Sequence, residues 1–254
     1  MRLTLVGHAT VLIELDGVRL LTDPFLRDRT AFLRTHDRRI DPDWSERLDA
    51  VLLSHFHRDH YDRPSLRGLD AALRVIGPSG ARARLRRLGR SNVEELEPGD
   101  STTVGPLTVR ATPASHGRIP PPLPLGSAAV GFVVSGSSRV YFAGDTDLFP
   151  ELAELAAEKL DVALVPIAGW GPRLGSGHLD PGRAAEALRL LRPRVAVPIH
   201  WGLLSPLGVR RWNPSYLTDP GETFVRAAAE VAPDVDVRIL EPGESLELEG
   251  SAHG

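Results

Sequence analysis

Cysteine is absent from these 254 residues. That excludes disulfides, thiolate metal ligands and a cysteine nucleophile, so any metal here must be held by nitrogen and oxygen donors. Lysine occurs once, as Lys159, while every other basic residue is arginine, which reads as a coding bias and not as function. No apolar run approaches the roughly 18 residues that a membrane helix needs. The start, Met1-Arg2 followed by Leu3-Thr4-Leu5-Val6, reads as a strand and lacks the apolar core and cleavage site of a secretory leader. A cytoplasmic location is therefore expected. With a net charge of −3, no general basic field draws nucleic acid. Hydrophobic and charged contents of 42% and 25% are those of an ordinary globular chain with a sizeable core.

Apolar runs separated by turn residues predict strands over Leu3–Val6, Val11–Leu15, Val18–Leu21 and Val51–Leu53, with Asp16-Gly17 as a tight turn. Further strands are predicted over Leu107–Ala111, Ala128–Val134, Arg139–Phe142, Val162–Val165 and Val195–Ile199, and Val235–Leu240 as the last core strand. Helices are expected from a Ser79 cap to Leu88, around Leu152, Leu155 and Ala156, from the Asp180 cap through Leu191, and from Asp219 with a capping-box pattern. Residues 24–47 read as polar and irregular. Strands dominate the first half, and helices alternate with strands later. This predicts an α/β chain with a sheet-on-sheet core and helices outside, as a single domain over 1–254.

The densest chemistry lies in Ser54-His55-Phe56-His57-Arg58-Asp59-His60, directly after an apolar strand. Imidazole nitrogen and carboxylate oxygen are the donors a zinc-like cation selects, and core packing asks for no such cluster. His55 and His57 are two residues apart and share a side in extended chain, while Asp59 and His60 can face a second position. His116, Asp145 and His200 each follow an apolar run, where a loop leaves a rigid strand.

The pattern His55-x-His57-x-Asp59-His60, then His116, Asp145 and His200, resembles the metallo-β-lactamase superfamily over nearly the whole chain. The resemblance implies a four-layer αβ/βα sandwich with the site on one edge between two sheets. It implies two divalent cations: one held by His55, His57 and His116, the other by Asp59, His60 and His200, with Asp145 bridging. Zinc is the expected metal, with manganese or iron as alternatives. The lactamases proper most often use a cysteine at the second metal, and this chain has none. Gly7-His8-Ala9-Thr10, Thr22-Asp23-Pro24-Phe25 and Gly177-His178-Leu179-Asp180-Pro181 are similar to the L-ascorbate-6-phosphate lactonase-like and N-acyl-phosphatidylethanolamine phospholipase D-like branches. By that likeness His178 lines the substrate side, His8 lies nearby, and Asp23 orients a ligand imidazole.

Two cations sharing a water lower its pKa toward 7, which provides a nucleophile without serine or cysteine. The expected function is hydrolysis of a phosphodiester, lactone or related ester of a small or lipid-like substrate. Asp59 would accept a proton, and His178 or His8 would serve the leaving group. The alternatives are a di-iron oxidoreductase and a non-catalytic metal-binding protein of the same fold. Nucleic acid is not the expected partner, and a homo-oligomer is compatible with the sequence. Arg27, Arg29, Arg34, Arg38 and Arg39 are either an anion-holding loop or a solvated one. The basic stretch Arg82, Arg84, Arg86, Arg87 and Arg90 reads as an exposed face, and the Pro-rich residues 119–125 as a stiff wall. Trp170, Trp201 and Trp212 are candidates for substrate contact or for packing.

Overall fold

Strand alternation and burial sort the chain into layers. The computed structural model describes residues 1–30, 33–35, 41–116, 129–169, 174–208, 215 and 218–249. Within them the first sheet contains β1 (Arg2–Gly7), β2 (Thr10–Leu15), β3 (Val18–Thr22), β6 (Ala50–Leu52), β7 (Arg74–Gly77), β8 (Val93–Glu95) and β17 (Ser245–Glu247), in the order β17-β1-β2-β3-β6-β7-β8. The second contains β9 (Ser101–Val104), β10 (Leu107–Pro113), β11 (Val130–Ser135), β12 (Arg139–Phe142), β13 (Val162–Pro166), β14 (Val195–Ile199) and β16 (Asp236–Val237), in the order β16-β14-β13-β12-β11-β10-β9. Their facing side chains form one core: Leu5, Ile13, Leu20 and Leu52 from one sheet meet Val109, Phe132, Phe142, Leu164 and Val197 from the other.

The outer faces are covered by helices. Val51, Leu53 and Val75 pack under α1 (Arg63–Gly68) and α2 (Ala81–Arg86) through Leu66, Ala81 and Leu85. Tyr141, Ala163 and Val165 pack under α3 (Pro181–Leu191) and α4 (Asp219–Val231) through Ala184, Leu188, Phe224 and Ala228. This is the αβ/βα sandwich. Strand β13 is buried at every residue, as expected for a parallel strand covered on both faces. No helix among the described residues is long and apolar enough to cross a membrane.

Several local expectations need correction. Asp180 caps α3 by accepting from the Arg183 amide at 2.8 Å, as the sequence predicts. The Ser79 cap does not form: Gly80 stands at that position with φ 88°, which favours glycine, and no side chain caps the helix. Asp219 lies inside α4 behind Thr218, and no side chain caps that end either. The segment Pro150–Glu158 is a 3-10 helix, with Leu152 and Leu155 buried. Of Val235–Leu240 only Asp236–Val237 forms a strand, beside β14, and a further strand, β17, follows and joins the other sheet beside β1. The 24–47 segment is not wholly irregular. Within it β4 (Arg29–Thr30) pairs with β5 (Leu33–Thr35), and β5 pairs in turn with β15 (Leu204–Pro206), just beyond His200.

The basic stretch is also not uniformly solvated. Arg90 is 2% exposed. It donates to the carbonyls of Leu66 and Leu69 at 2.9 Å and of Asp70 at 2.9 Å, tying α1 to the loop before β7. Arg84 stacks over the Phe56 ring at 4.2 Å. Removing a donor that serves several buried carbonyls leaves acceptors unpaired. Arg90→Met is therefore expected to lower stability by about 3 kcal/mol or more, and a denaturant midpoint equal to wild type would refute this.

Candidate metal centre

The site residues lie just past strand ends on one rim of the sandwich. His8 follows β1, Asp23 follows β3, the His55–His60 cluster follows β6, His116 follows β10, Asp145 follows β12 and His200 follows β14. The backbone makes room for this convergence. Gly144 has φ 60°, and a Cβ on it would lie 2.6 Å from Ser54 Cβ, so only glycine lets the end of β12 approach the cluster. His8, Asp23 and His200 hold left-handed backbone at φ 58°, 31° and 63°. Non-glycine residues keep such conformations where their surroundings over-determine them. The Asp23 turn is pinned by Thr10, whose hydroxyl donates to the Asp23 carbonyl at 2.7 Å and accepts from the Phe25 amide at 2.9 Å.

Two groups of donors result. His8, Asp59, His60 and His200 form one, and His55, His57, His116 and Asp145 the other, with the donor atoms of each lying within 4.8 Å of one another. Asp145 stands between them. Its Oδ2 is 3.7 Å from His55 Nε2 and 3.2 Å from His60 Nε2, and its Oδ1 is 3.4 Å from His200 Nε2. Asp59 Oδ2 is 3.2 Å from His200 Nε2 and 3.5 Å from His60 Nε2. His116 Nε2 lies 3.0 Å from His57 Nδ1. Ligands about 2.0–2.1 Å from a tetrahedral cation are spaced by about 3.3 Å, so these separations suit a shared ion. The first group is wholly buried, whereas in the second His57 is exposed and His116 partly so.

The outward ring nitrogens fix the tautomers. A carbonyl oxygen only accepts, so Nδ1 carries the proton in His200 (3.1 Å to Ala168 O), His116 (2.7 Å to Gly177 O) and His178 (3.2 Å to Gly175 O). His60 Nδ1 faces Asp23 Oδ2 at 2.7 Å. Ser54 gives its hydroxyl proton to the same oxygen at 2.5 Å, so its own oxygen accepts from His55 Nδ1 at 2.9 Å. Asp23 thus orients a donor of each group, His60 directly and His55 through Ser54, whose part in this was not legible in the sequence. In each of these rings the neutral form turns a bare Nε2 inward. His55 Nε2, His60 Nε2 and Asp145 Oδ1 are buried without a hydrogen-bond partner among the described residues. Lone pairs and carboxylates crowded around one point repel unless positive charge lies among them, so the donor set fits a cation.

The electrostatics say the same. Burial pushes His116 down to about 4, and His8 likewise to about 4. Burial also lowers His55 well below its ordinary range. In His60 burial is outweighed by the charges of Asp145 and Asp59, which hold its pKa well above the usual value. Asp59 and Asp145 stay well below the carboxylate range, because the surrounding imidazoles outweigh their burial. His178 is 20% exposed at the site mouth, with Nε2 3.4 Å from Asp145 Oδ2.

Other candidates resolve differently. Arg27 is spent on Asp62, its Nε lying 3.0 and 2.8 Å from the two carboxylate oxygens. Arg29 and Arg34 are exposed, and Arg38 and Arg39 lie outside the described residues, as do the Pro-rich 119–125, Trp170 and Trp212. Trp201 donates to the Pro198 carbonyl at 3.2 Å and rests on Gly221, which is a packing role. The carbonyl partners at Ala168, Gly175 and Gly177 carry no side-chain signal and were not legible beforehand.

Comparison with known proteins agrees with this geometry. A family model described as a beta-lactamase superfamily domain matches residues 18–201. A UPF0173 metal-dependent hydrolase of Methanopyrus kandleri is 36% identical over 257 aligned residues, covering 97% of this chain and 100% of that protein. The solved structure of Igni18, a metallo hydrolase from the archaeon Ignicoccus hospitalis, is similar with a TM-score of 0.71 at 25% identity, over 98% of this chain and 99% of that one. An isothiocyanate hydrolase from Delia radicum gut bacteria shares the fold, with a TM-score of 0.76 at 22% identity over 98% and 99% of the two chains. This chain belongs to the metallo-β-lactamase superfamily, among its UPF0173 metal-dependent hydrolases.

Proposed function

We propose that the protein is a dinuclear hydrolase that cleaves a phosphodiester, lactone or related ester of a small or lipid-like substrate. The observation that carries this reading is the pair of donor groups meeting at Asp145, with bare Nε2 atoms aimed inward. His55, His57 and His116 would hold one divalent cation, Asp59, His60 and His200 the other, and Asp145 both, with zinc the metal that nitrogen and oxygen donors of this kind favour. Bound there, the cations would supply Lewis acidity and water acidic enough to attack an ester near neutral pH. The chain's own groups do the rest. Asp59, in the buried group, takes up a proton. His178 faces solvent with its Nδ1 anchored on the Gly175 carbonyl, so as the imidazolium it presents an Nε2 proton to a leaving group. Exposure of His57 and His116 supports a substrate approach from that side of the site.

The test starts from protein stripped by a chelator and reloaded with zinc, manganese or iron. It is then assayed on bis-p-nitrophenyl phosphate, a lactone panel and acylated phospholipids. Turnover on one ester class that returns only with two equivalents of metal is the expected result. Hydrolysis indifferent to chelation would sink the proposal, and a visible iron spectrum with no hydrolysis would favour the oxidoreductase.

Loading is also expected to release protons. His60 is held protonated by Asp145 and Asp59 in the metal-free protein, and a cation must displace that proton. Since its pKa is raised, acid favours the protonated form. Affinity should therefore fall by about tenfold per pH unit for each proton displaced. Calorimetry in buffers of differing ionisation enthalpy reads the released protons directly, and loading without release would contradict the site chemistry.

A further inference from the structure

We propose that His8 is a positioning residue that donates its Nε2 proton to Asp59 and fixes that carboxylate, and that it ligates neither cation. Its place in the fold supports this. His8 stands in the bulged turn between β1 and β2, where the register shifts between Leu5 and Gly7, and its backbone is left-handed. Its side chain has no exposed surface, so it cannot meet a substrate, and the leaving-group role expected from the sequence falls to His178.

The decisive difference lies in the outer nitrogen. His200, His116, His178, His60 and His55 each place Nδ1 against an acceptor, and histidines that bind metals almost always do so. His8 Nδ1 is buried with no partner among the described residues. A buried N–H without an acceptor is the rarer and costlier defect, so the single proton of neutral His8 belongs on Nε2. There it meets Asp59 Oδ2 at 3.0 Å, closer than His200 Nε2 at 3.2 Å or His60 Nε2 at 3.5 Å approaches the same oxygen. His8 also accepts the His200 amide on its carbonyl at 2.9 Å, and the two rings lie 4.0 Å apart. One residue thus braces two members of the buried group, Asp59 through its ring and His200 through its backbone.

This inference rests on the dinuclear reading, and the experiment separates the two. Protein labelled with ¹⁵N in histidine is loaded with ¹¹³Cd, and the tautomer and metal coupling of each ring are read by NMR. His8 should show an Nε2 proton and no cadmium coupling, while His55, His60, His116 and His200 show Nδ1 protons and coupling at Nε2. Cadmium coupling to His8, or a proton on its Nδ1, overturns the proposal. Zinc titration adds a second readout. His8→Ala should still bind two equivalents, with one of them about 10–100-fold weaker, and His8→Gln, which restores an N–H near the Nε2 position, should recover most of the loss. Loss of a whole equivalent in both variants would identify His8 as a ligand. Should wild type bind fewer than two cations, the dinuclear reading fails on its own, and the His8 tautomer in metal-free protein still decides this point.

Discussion

Asp145→Ala is expected to reduce metal-dependent turnover to background while the protein stays folded. The Asp145 carboxylate stands between the two donor groups. Its carboxylate comes within 3.7 Å of His55 Nε2, 3.2 Å of His60 Nε2 and 3.4 Å of both His200 and His178 Nε2. Removing it takes one negative charge from between the two donor groups and leaves the His178 ring without its carboxylate neighbour. Loss of an outer partner alone costs metal sites about 10–100-fold, so loss of the shared carboxylate should exceed that range. Elemental analysis of the purified variant should show fewer than two equivalents of metal. Wild-type kcat/KM in a folded, pure Asp145→Ala protein would remove the whole site assignment. His57→Ala should fail similarly on the exposed side of the pair.

The second large effect concerns a residue that touches no substrate. Asp23→Ala should weaken both cation sites by about 10–100-fold each, because one carboxylate orients a ligand of each. Its Oδ2 accepts from His60 at 2.7 Å and from Ser54 at 2.5 Å, and its Oδ1 accepts from the Ser54 amide at 2.7 Å. Ser54→Ala interrupts only the branch that leads to His55. It should therefore weaken one site and spare the other. Competition titrations against a chromophoric chelator resolve the two steps. Equal weakening of both sites by Ser54→Ala, or none by Asp23→Ala, would show that the Asp23–Ser54 relay does not act as described.

The convergence of donors was legible because they are contiguous or follow apolar runs, and strand ends are where rigid elements present side chains. The outer supports were not. Ser54 matters only because Asp23, 31 residues earlier, arrives beside it, and backbone carbonyls at Ala168, Gly175 and Gly177 leave no trace in side-chain identity. The same limit explains the missed strands. β4 and β5 are two and three residues long and pair with each other, and β5 also pairs with β15, far along the chain, so their local pattern was too short to read. Arg90 was misread for a related reason. Its neighbours Arg86 and Arg87 are solvated, and only the tertiary packing of α1 supplies the carbonyls that let a guanidinium be buried.

The pairing of β17 with β1 bears on how the polypeptide is made. Leu3 lies opposite Leu246, and the Leu248 amide donates to the Met1 carbonyl. Until residues 245–247 emerge from the ribosome, the outer border of β1 remains an open template for stray strands from other nascent chains. Synthesis therefore passes through a stage in which both sheets are otherwise present with that edge unsealed, and only the arrival of β17 closes it.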